Sequence, residues 1–321
     1  NYNSQIGLPL TVFGLNHTHE IAVIEMGMSN FGEMERLSAI ASPTSAVVTN
    51  IGISHIEQLK TQENIRAEKL HIADTIGEQG ALYLNGDDPL LQQLRESYTG
   101  KIVWYGMESD CDYQAVNIDT VKDCTRFELH APFGAHKIMI PALGLHNVSN
   151  ALAAIAVAYD QGLTLDDIRC GLLTYEGLAM RQQIHELDKI TVIDDSYNAS
   201  PDSIKSGIGV LMAVKSTGKK IAVLADMLEL GERSAQAHLE LGAYAAASGV
   251  DAVVTVGREA EKIAEGAAEE SRKILVKACG TNDEAFAELE KILNDGDSVL
   301  VKGSRGMHTD EIVQKLLTKY Q

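Results

Sequence analysis

Residues 46–71 read AVVTNIGISHIEQLKTQENIRAEKLH, and this stretch decides the fold class. The apolar run Ala46-Val47-Val48 reads as a buried strand continuing to Ile51, closed by the polar and glycine punctuation of Thr49-Asn50-Ile51-Gly52. From Glu63 to Gly77 the apolar positions Ile65, Leu70, Ile72, Ala73 and Ile76 fit one helical stripe, which puts Lys69 on an ordered element. Strand, loop and helix in that order form the repeating step of an open α/β sheet, where the carboxyl ends of strands line the ligand crevice. His55, just past the expected strand end, is placed to face such a crevice.

Upstream, the apolar run Ile21-Ala22-Val23-Ile24 is expected to form a neighbouring strand that ends in Glu25-Met26-Gly27-Met28. A carboxylate, an imidazole and a lysine, Glu25, His55 and Lys69, would then converge on one crevice. Each also has an ordinary explanation alone, since a lone His after a strand is commonly structural and a helical Lys is commonly a solvated charge. Glu33 to Ile40 reads as a short amphipathic helix, and Ala81-Leu82-Tyr83-Leu84-Asn85 and Lys101 to Tyr105 read as further strands. This βαβ grammar calls for a mostly parallel sheet. Between 113 and 141, YQAVNID, CTRFELH and HKIMIPA alternate without helical period and predict an antiparallel meander of structural role.

After Gly144 the apolar positions Val148, Ala151, Leu152, Ile155 and Tyr159 recur at helical spacing, with Gly162 past the end and Asn147 as a candidate cap. Periodicity lapses in EGLAMRQQ, 176–183, which divides the chain into an expected first domain, 1–178, and a second, 179–321. The second opens on strand Ile190-Thr191-Val192-Ile193 and reaches Asp194-Asp195-Ser196-Tyr197-Asn198. Two adjacent acids at a strand end repel unless something pairs with them, which marks the place as a candidate site. Strands at Ile221–Leu224, Ala252–Val256 and Ser298–Val301 alternate with helices, so a Rossmann-like layered domain is expected. The run Gly207-Ile208-Gly209 lies inside a helical pattern and is no dinucleotide loop. Lys302-Gly303-Ser304-Arg305 closes the last strand with cations, a hydroxyl and glycine, which suits a carboxylate or phosphate, or a solvated basic turn. His238 is left with either a structural or a positioning role.

The chain has 321 residues and a formal net charge of −18, enough length for about two domains and a charge that argues against nucleic-acid or anionic-membrane surfaces. Its four cysteines, Cys111, Cys124, Cys170 and Cys279, show no CxxC spacing and suit a reducing compartment. No signal peptide and no apolar run of membrane-spanning length is found.

The blocks IEMGM (24–28), VTNIGISHIE (48–57), the Lys69 helix, LNGDDP (84–89), GLHNVSNALAA (144–154), DDSYNASPDS (194–203), ADMLELGERS (225–234) and VKGSRGM (301–307) together resemble the Mur ligases. The DSYNASPDS and DMLELG blocks resemble the MurF type, which joins D-alanyl-D-alanine to UDP-N-acetylmuramoyl-tripeptide. The resemblance implies an ATP-dependent peptide ligase of cell-wall precursor synthesis, cytoplasmic and monomeric, acting through an acyl phosphate with magnesium. It implies Glu25, His55 and a carbamylated Lys69 as metal ligands, with His55 and Lys69 catalytic. Asn147 and Asn150 would contact adenine, Arg181 would reach the nucleotide, and Asp195 would bind the ribose hydroxyls. Tyr197 and Asn198 would lie near the amine or dipeptide, and Lys302, Ser304 and Arg305 would hold the dipeptide carboxylate or the nucleotide. Met180 departs from the glycine common at its place in the family.

The segment from Asn1 to Gly7 resembles the one that follows the family's P-loop, and no GxxxxGK[ST] occurs. The sequence is therefore expected to be a fragment without the uridine-nucleotide domain and P-loop, inactive by itself. Folylpolyglutamate synthase, a relative using the same chemistry, and a non-catalytic binding role are the alternatives.

Overall fold

The computed structural model describes residues 2–108 and 110–321; Asn1, which opens the P-loop-following segment, lies outside them. The chain divides into two compact units. The first comprises residues 1–118, 127–138 and 148–171, the second residues 119–126, 139–147 and 172–321.

In order, the chain forms helices α1 (Gly7–Phe13) and α2 (Glu33–Ala41), strand β1 (Ala46–Val48), helices α3 (Ile56–Leu59) and α4 (Gln62–Leu70), β2 (Ala81–Asn85), α5 (Pro89–Gln92) and β3 (Lys101–Gly106). Then come β4 (Tyr113–Val121), β5 (Cys124–Ala131), β6 (Gly134–Ile140), α6 (Leu145–Asp160) and α7 (Leu165–Leu173). Strands β1 to β6 make one sheet in sequence order, with β1, β2, β3 and β4 parallel. The two-residue turns at 122–123 and 132–133 leave only antiparallel pairing for β4, β5 and β6. Side chains opposite each other across β4 and β5 agree with that, Asn117 bonding Glu128 at 3.3 Å and Arg126 bonding Asp119 at 2.8 Å.

Several expectations for this part need correction. Ile21–Ile24 is not a ladder strand: residues 21–28 have no strand assignment, and Val23 is 94% exposed. An apolar run needs neighbours for its N–H and C=O groups, and among the described residues β1 pairs only with β2. β1 stops at Val48 instead of continuing to Ile51, and the Lys69 helix ends at Leu70, followed by a 3₁₀ turn over His71–Ala73. Asn147 is no N-terminal cap; it lies within the first turn of α6, where its Nδ2 donates to the Leu143 carbonyl at 2.8 Å.

The loop after β1 is pinned group by group. Asn85 Nδ2 donates to the Thr49 carbonyl (2.9 Å), Lys69 Nζ to the Asn50 carbonyl (2.7 Å) and Gln62 Nε2 to the Ile51 carbonyl (3.0 Å). The Ile51 amide donates to Asp88 Oδ2 at 2.6 Å, while Asp88 Oδ1 accepts from Leu90 and Leu91 at the start of α5. Buried Glu68 accepts from the Gly32 and Met34 amides at 3.0 and 2.9 Å, which caps α2 and fixes α4 beside it. Beneath lies a core of Leu59, Ile65, Leu82, Leu84 and Leu91.

The second unit holds β7 (Gln183–Glu186), β8 (Thr191–Asp194), α8 (Pro201–Ala213), β9 (Lys220–Ala225), α9 (Ser234–Ala247), β10 (Ala252–Val256), α10 (Glu261–Glu270), β11 (Leu275–Cys279), α11 (Asn282–Ile292), β12 (Ser298–Lys302) and α12 (Asp310–Tyr320). The sheet order is β11-β10-β9-β12-β8-β7, parallel except for β7. Val192, Val223, Val254 and Val301 face one core, yet their chain neighbours Ile193, Ala222, Leu224 and Leu300 are equally buried. Burial on both faces is what a parallel sheet covered by helices requires. The four cysteines form no disulfide. Among the described residues no helix is long and apolar enough to cross a membrane.

Helices α9 and α10 meet backbone to backbone: a Cβ on Gly242 would collide with the Ile263 carbonyl, and one on Gly266 with the Leu239 carbonyl. Gly209 on α8 has nothing within 4 Å of where its Cβ would stand. Gly242→Ala is therefore expected to cost about 1–3 kcal/mol or more by overpacking, whereas Gly209→Ala gains about 0.5–1 kcal/mol from helix propensity. Urea unfolding of the two variants checks this, and equal midpoints would contradict it.

Candidate functional site

Two groups of candidate residues emerge, one in each unit. In the first, Asn3 links Glu25 to a cavity that His55 lines. Its Nδ2 donates to Glu25 Oε1 at 2.7 Å and its carbonyl accepts from the Gly27 amide at 2.8 Å. Asn3, Gly27, Met28, Glu33 and His55 line an open cavity of about 370 Å³. His55 precedes α3 with a left-handed φ of 60°, at the end of the pinned loop. Lys69 reaches that loop at Asn50, as described above. Glu25 is thus bonded to a residue of the cavity that His55 also lines, and Lys69 contacts the segment that presents His55. Among the described residues no three or more His, Cys, Asp or Glu side chains are grouped to hold a metal ion; the expected set contains only two residues of those types plus the lysine.

In the second unit the strand pairing itself builds the site. β12 lies between β8 and β9, with Val301 opposite Asp194 and Lys302 opposite Leu224, so the residues just past these strands are neighbours at the carboxyl edge. Asp195 donates its amide to the Val301 carbonyl at 3.0 Å and forms an ion pair with Lys302 Nζ at 2.8 Å. Lys302 Nζ also donates to the Asn198 carbonyl at 2.9 Å. Both charges are buried, 5% and 3% exposed. Burial pushes the Asp195 carboxyl above the usual carboxylate range, against the pull of Lys302, and pushes the Lys302 ammonium down, against the pull of Asp195. The second acid, Asp194, accepts from the Ser196 amide and hydroxyl at 3.1 and 2.5 Å, so the adjacent carboxylates have separate partners. Helix α8 then starts on a Ser200/Ser203 capping box with Pro201 in the first turn.

Arg181 lies over the Tyr197 ring, its guanidinium carbon 4.4 Å from the centroid. Met180 and Gln182 on either side have φ of 61° and 54°. The sequence departure at Met180 is thus a left-handed position at which glycine would be unstrained. Tyr197 and Asn198 are exposed, and Asn198 Oδ1 accepts from the Ala199 amide at 2.9 Å. Asn150 is exposed and Asn147 half-buried on α6.

In the closing turn, Ser304 is 3% exposed; its amide donates to the Asp226 carbonyl and its Oγ accepts from the Leu228 amide at 2.9 Å. Arg305 is exposed, 3.7 Å from Asp310 and beside the Met180 sulfur. Of the three polar residues in this turn, Lys302 and Ser304 are engaged internally and Arg305 faces solvent. Asp226 of the DMLELG block is an anchor, its Oδ1 accepting from the Ala260 amide at 2.7 Å. His238 is fully buried: Nε2 accepts from the Met227 amide at 2.9 Å and Nδ1 donates to the Ser234 carbonyl at 2.7 Å, which makes it structural.

Two residues were not singled out from the sequence. His146 Nε2 donates to Gln182 Oε1 at 2.7 Å, and the Gln182 amide donates to the Asp195 carboxylate. Burial holds His146 below the ordinary imidazole range, offset by the Gln182 bond and reinforced by the Lys302 charge. Nothing in the residue spacing announces a contact between positions 36 apart. The only signal was that His146 belongs to the quoted GLHNVSN block.

Removing one member of a buried ion pair leaves an uncompensated charge, so Lys302→Met is expected to cost about 3–5 kcal/mol, and Lys302→Met with Asp195→Leu to recover most of it. Denaturant unfolding of the single and double variants measures both, and a single variant as stable as wild type would contradict the pairing.

The Mur ligase middle domain matches residues 1–158, and the Mur ligase, glutamate ligase domain matches residues 180–305. The chain is 39% identical to the UDP-N-acetylmuramoyl-tripeptide–D-alanyl-D-alanine ligase of Bacillus subtilis (strain 168), over 99% of this chain and 68% of that one. Among solved structures it is similar to MurF from Acinetobacter baumannii, with a TM-score of 0.90 at 31% identity over 99% of this chain and 69% of that one. MurF from Thermotoga maritima, solved in complex with ADP, matches with a TM-score of 0.88 at 28% identity over 100% of this chain and 72% of that one. The chain belongs to the Mur ligase family.

Proposed function

We propose that the protein is an ATP-dependent ligase that adds D-alanyl-D-alanine to UDP-N-acetylmuramoyl-tripeptide, a cytoplasmic, monomeric enzyme of peptidoglycan precursor synthesis. The observation that carries this reading is the strand-end cluster of Asp195, Lys302, Arg181 and Tyr197, in a chain 39% identical over 99% of its length to a ligase of that name. On the same reading, a central domain over 1–178 is followed by a ligase domain over 179–321.

A carboxylate is a poor acyl donor because its leaving group would be oxide. Transfer of the ATP γ-phosphoryl group to a tripeptide carboxylate oxygen gives an acyl phosphate and ADP. The dipeptide amine then attacks the carbonyl carbon, the C–O bond to phosphate breaks, inorganic phosphate leaves, and the amine loses a proton. Positioning and charge neutralisation dominate such transfer. On this reading Asn147 and Asn150 contact the adenine, each amide offering a donor and an acceptor. Asp195 accepts from the ribose hydroxyls, oriented by Lys302, and Arg181 meets the nucleotide. Tyr197 and Asn198 border the dipeptide amine. Arg305, the solvent-facing cation of its turn, takes the dipeptide carboxylate, while Lys302 and Ser304 hold that turn in shape.

The donor chemistry of the first unit fits magnesium in part. Glu25 supplies carboxylate oxygen, held by Asn3, and His55 an imidazole. Lys69 as an ammonium would repel a cation, whereas its carbamate, formed from the neutral amine and carbon dioxide, offers oxygen ligands. Bound there, the ion would neutralise phosphate charge.

The direct test is release of phosphate from ATP by the full-length protein in the presence of the uridine-nucleotide tripeptide. Release should depend on D-alanyl-D-alanine, and an absence of stimulation by the dipeptide overturns the assignment. Lys69→Ala should lower turnover on the order of a hundredfold or more, the scale of losing one charge-stabilising group, with partial recovery on adding a short carboxylic acid. Undiminished turnover in that variant would remove Lys69 from the site.

A further inference from the structure

The turn that carries Arg181 has an unfavourable backbone on both sides. Met180 and Gln182 are left-handed, and neither is a glycine or an asparagine. Such geometry persists only where surrounding contacts over-determine it. Three contacts do so here. The Tyr197 amide donates to the Met180 carbonyl at 3.1 Å, Arg181 lies on the Tyr197 ring, and the Gln182 side chain accepts from His146 Nε2 at 2.7 Å. The first two come from the strand-end loop itself. The third comes from the start of α6, and space is left for it: Gly144 has a φ of 93°, and a Cβ there would come within 2.6 Å of His146 Cε1.

We propose that His146 is a positioning residue for nucleotide binding. Through Gln182 Oε1 it holds the left-handed turn that aims the Gln182 amide at the Asp195 carboxylate and keeps Arg181 against Tyr197. The chain of contacts is continuous, from imidazole N–H to side-chain amide, from that residue's own backbone N–H to Asp195, and from Asp195 to Lys302. Burial disfavours the charged imidazole, and the ring N–H on Nε2 goes to Gln182 Oε1. The inference rests on the reading of Asp195 and Arg181 as nucleotide contacts.

The test combines hydrogen–deuterium exchange with ADP titration on wild type, His146→Ala, His146→Gln and Asp195→Ala. Loss of one hydrogen bond should speed exchange of the 180–182 amides and weaken ADP binding, each by about fivefold to tenfold, in His146→Ala. Exchange in β9 and β10 should stay as in wild type. His146→Gln keeps an N–H donor and should restore both readings toward wild type, which a purely space-filling role would not require. Unchanged exchange at 180–182 in His146→Ala overturns the inference. So does unchanged ADP affinity in that variant while Asp195→Ala weakens it. If Asp195→Ala itself leaves ADP affinity intact, the nucleotide reading falls and this inference falls with it, a failure recognised because His146→Ala still loosens the turn.

Discussion

A parallel strand that stops at the edge of an apolar layer leaves amides and carbonyls with no ladder to join, and each left buried and unpaired costs about 1–3 kcal/mol. Both units are shaped by how they meet this constraint. After β1, the Thr49, Asn50 and Ile51 carbonyls and the Ile51 amide are taken up by Asn85, Lys69, Gln62 and Asp88, drawn from two separate segments, α4 and the end of β2 with the turn after it. After β8 and β12, the Asp195 amide is taken by Val301, and the two buried charges are taken by each other. Three of the candidate binding groups, Lys69, Asp195 and Lys302, are therefore also groups that finish the strands.

The buried Asp195–Lys302 pair shows how this trade is settled. Desolvating two ions costs several kcal/mol each, and their attraction repays that only with good geometry and further hydrogen bonds. Lys302 has such a bond from its ammonium to the Asn198 carbonyl, and Asp195 receives the Gln182 amide. An apolar pair would fill the space as well. The retention of charges at a strand edge fits a site that needs a fixed carboxylate more than it needs the stability, and rigid placement of such groups is what lowers reorganisation during charge transfer.

Much of this was legible in the residues. β2, β3, β8, β9, β10 and β12 are mostly buried apolar runs with clear punctuation, and each was read close to its observed place. β7 and β11 flank their sheet, and their mixed faces, QIHE and LVKAC, carry no clean period. Ile21–Ile24 misled for the opposite reason: it has the composition of a strand, but composition cannot supply a pairing partner. At the site, adjacent acids and a basic turn, each after a strand, pointed to Asp195 and Lys302, and the sheet order made them neighbours. The His146–Gln182 link and the left-handed turn around Arg181 were out of reach, because backbone handedness at a non-glycine residue and a tertiary hydrogen bond leave no trace in spacing. His238 looks like chemistry in the sequence and proves to be joinery, both ring nitrogens taken by backbone groups.

Asp88 carries a last consequence. Each of its two oxygens serves a different piece of chain, Oδ2 the end of the β1 loop and Oδ1 the first turn of α5. Only a group with two equivalent acceptors can do this. An asparagine of the same size would turn an NH₂ toward one of those amides, donor against donor, whichever way it flipped. The distance between the β1 loop and α5 is thereby gauged by the span of one carboxylate, and the acidic character of that position follows from bonding symmetry and not from charge.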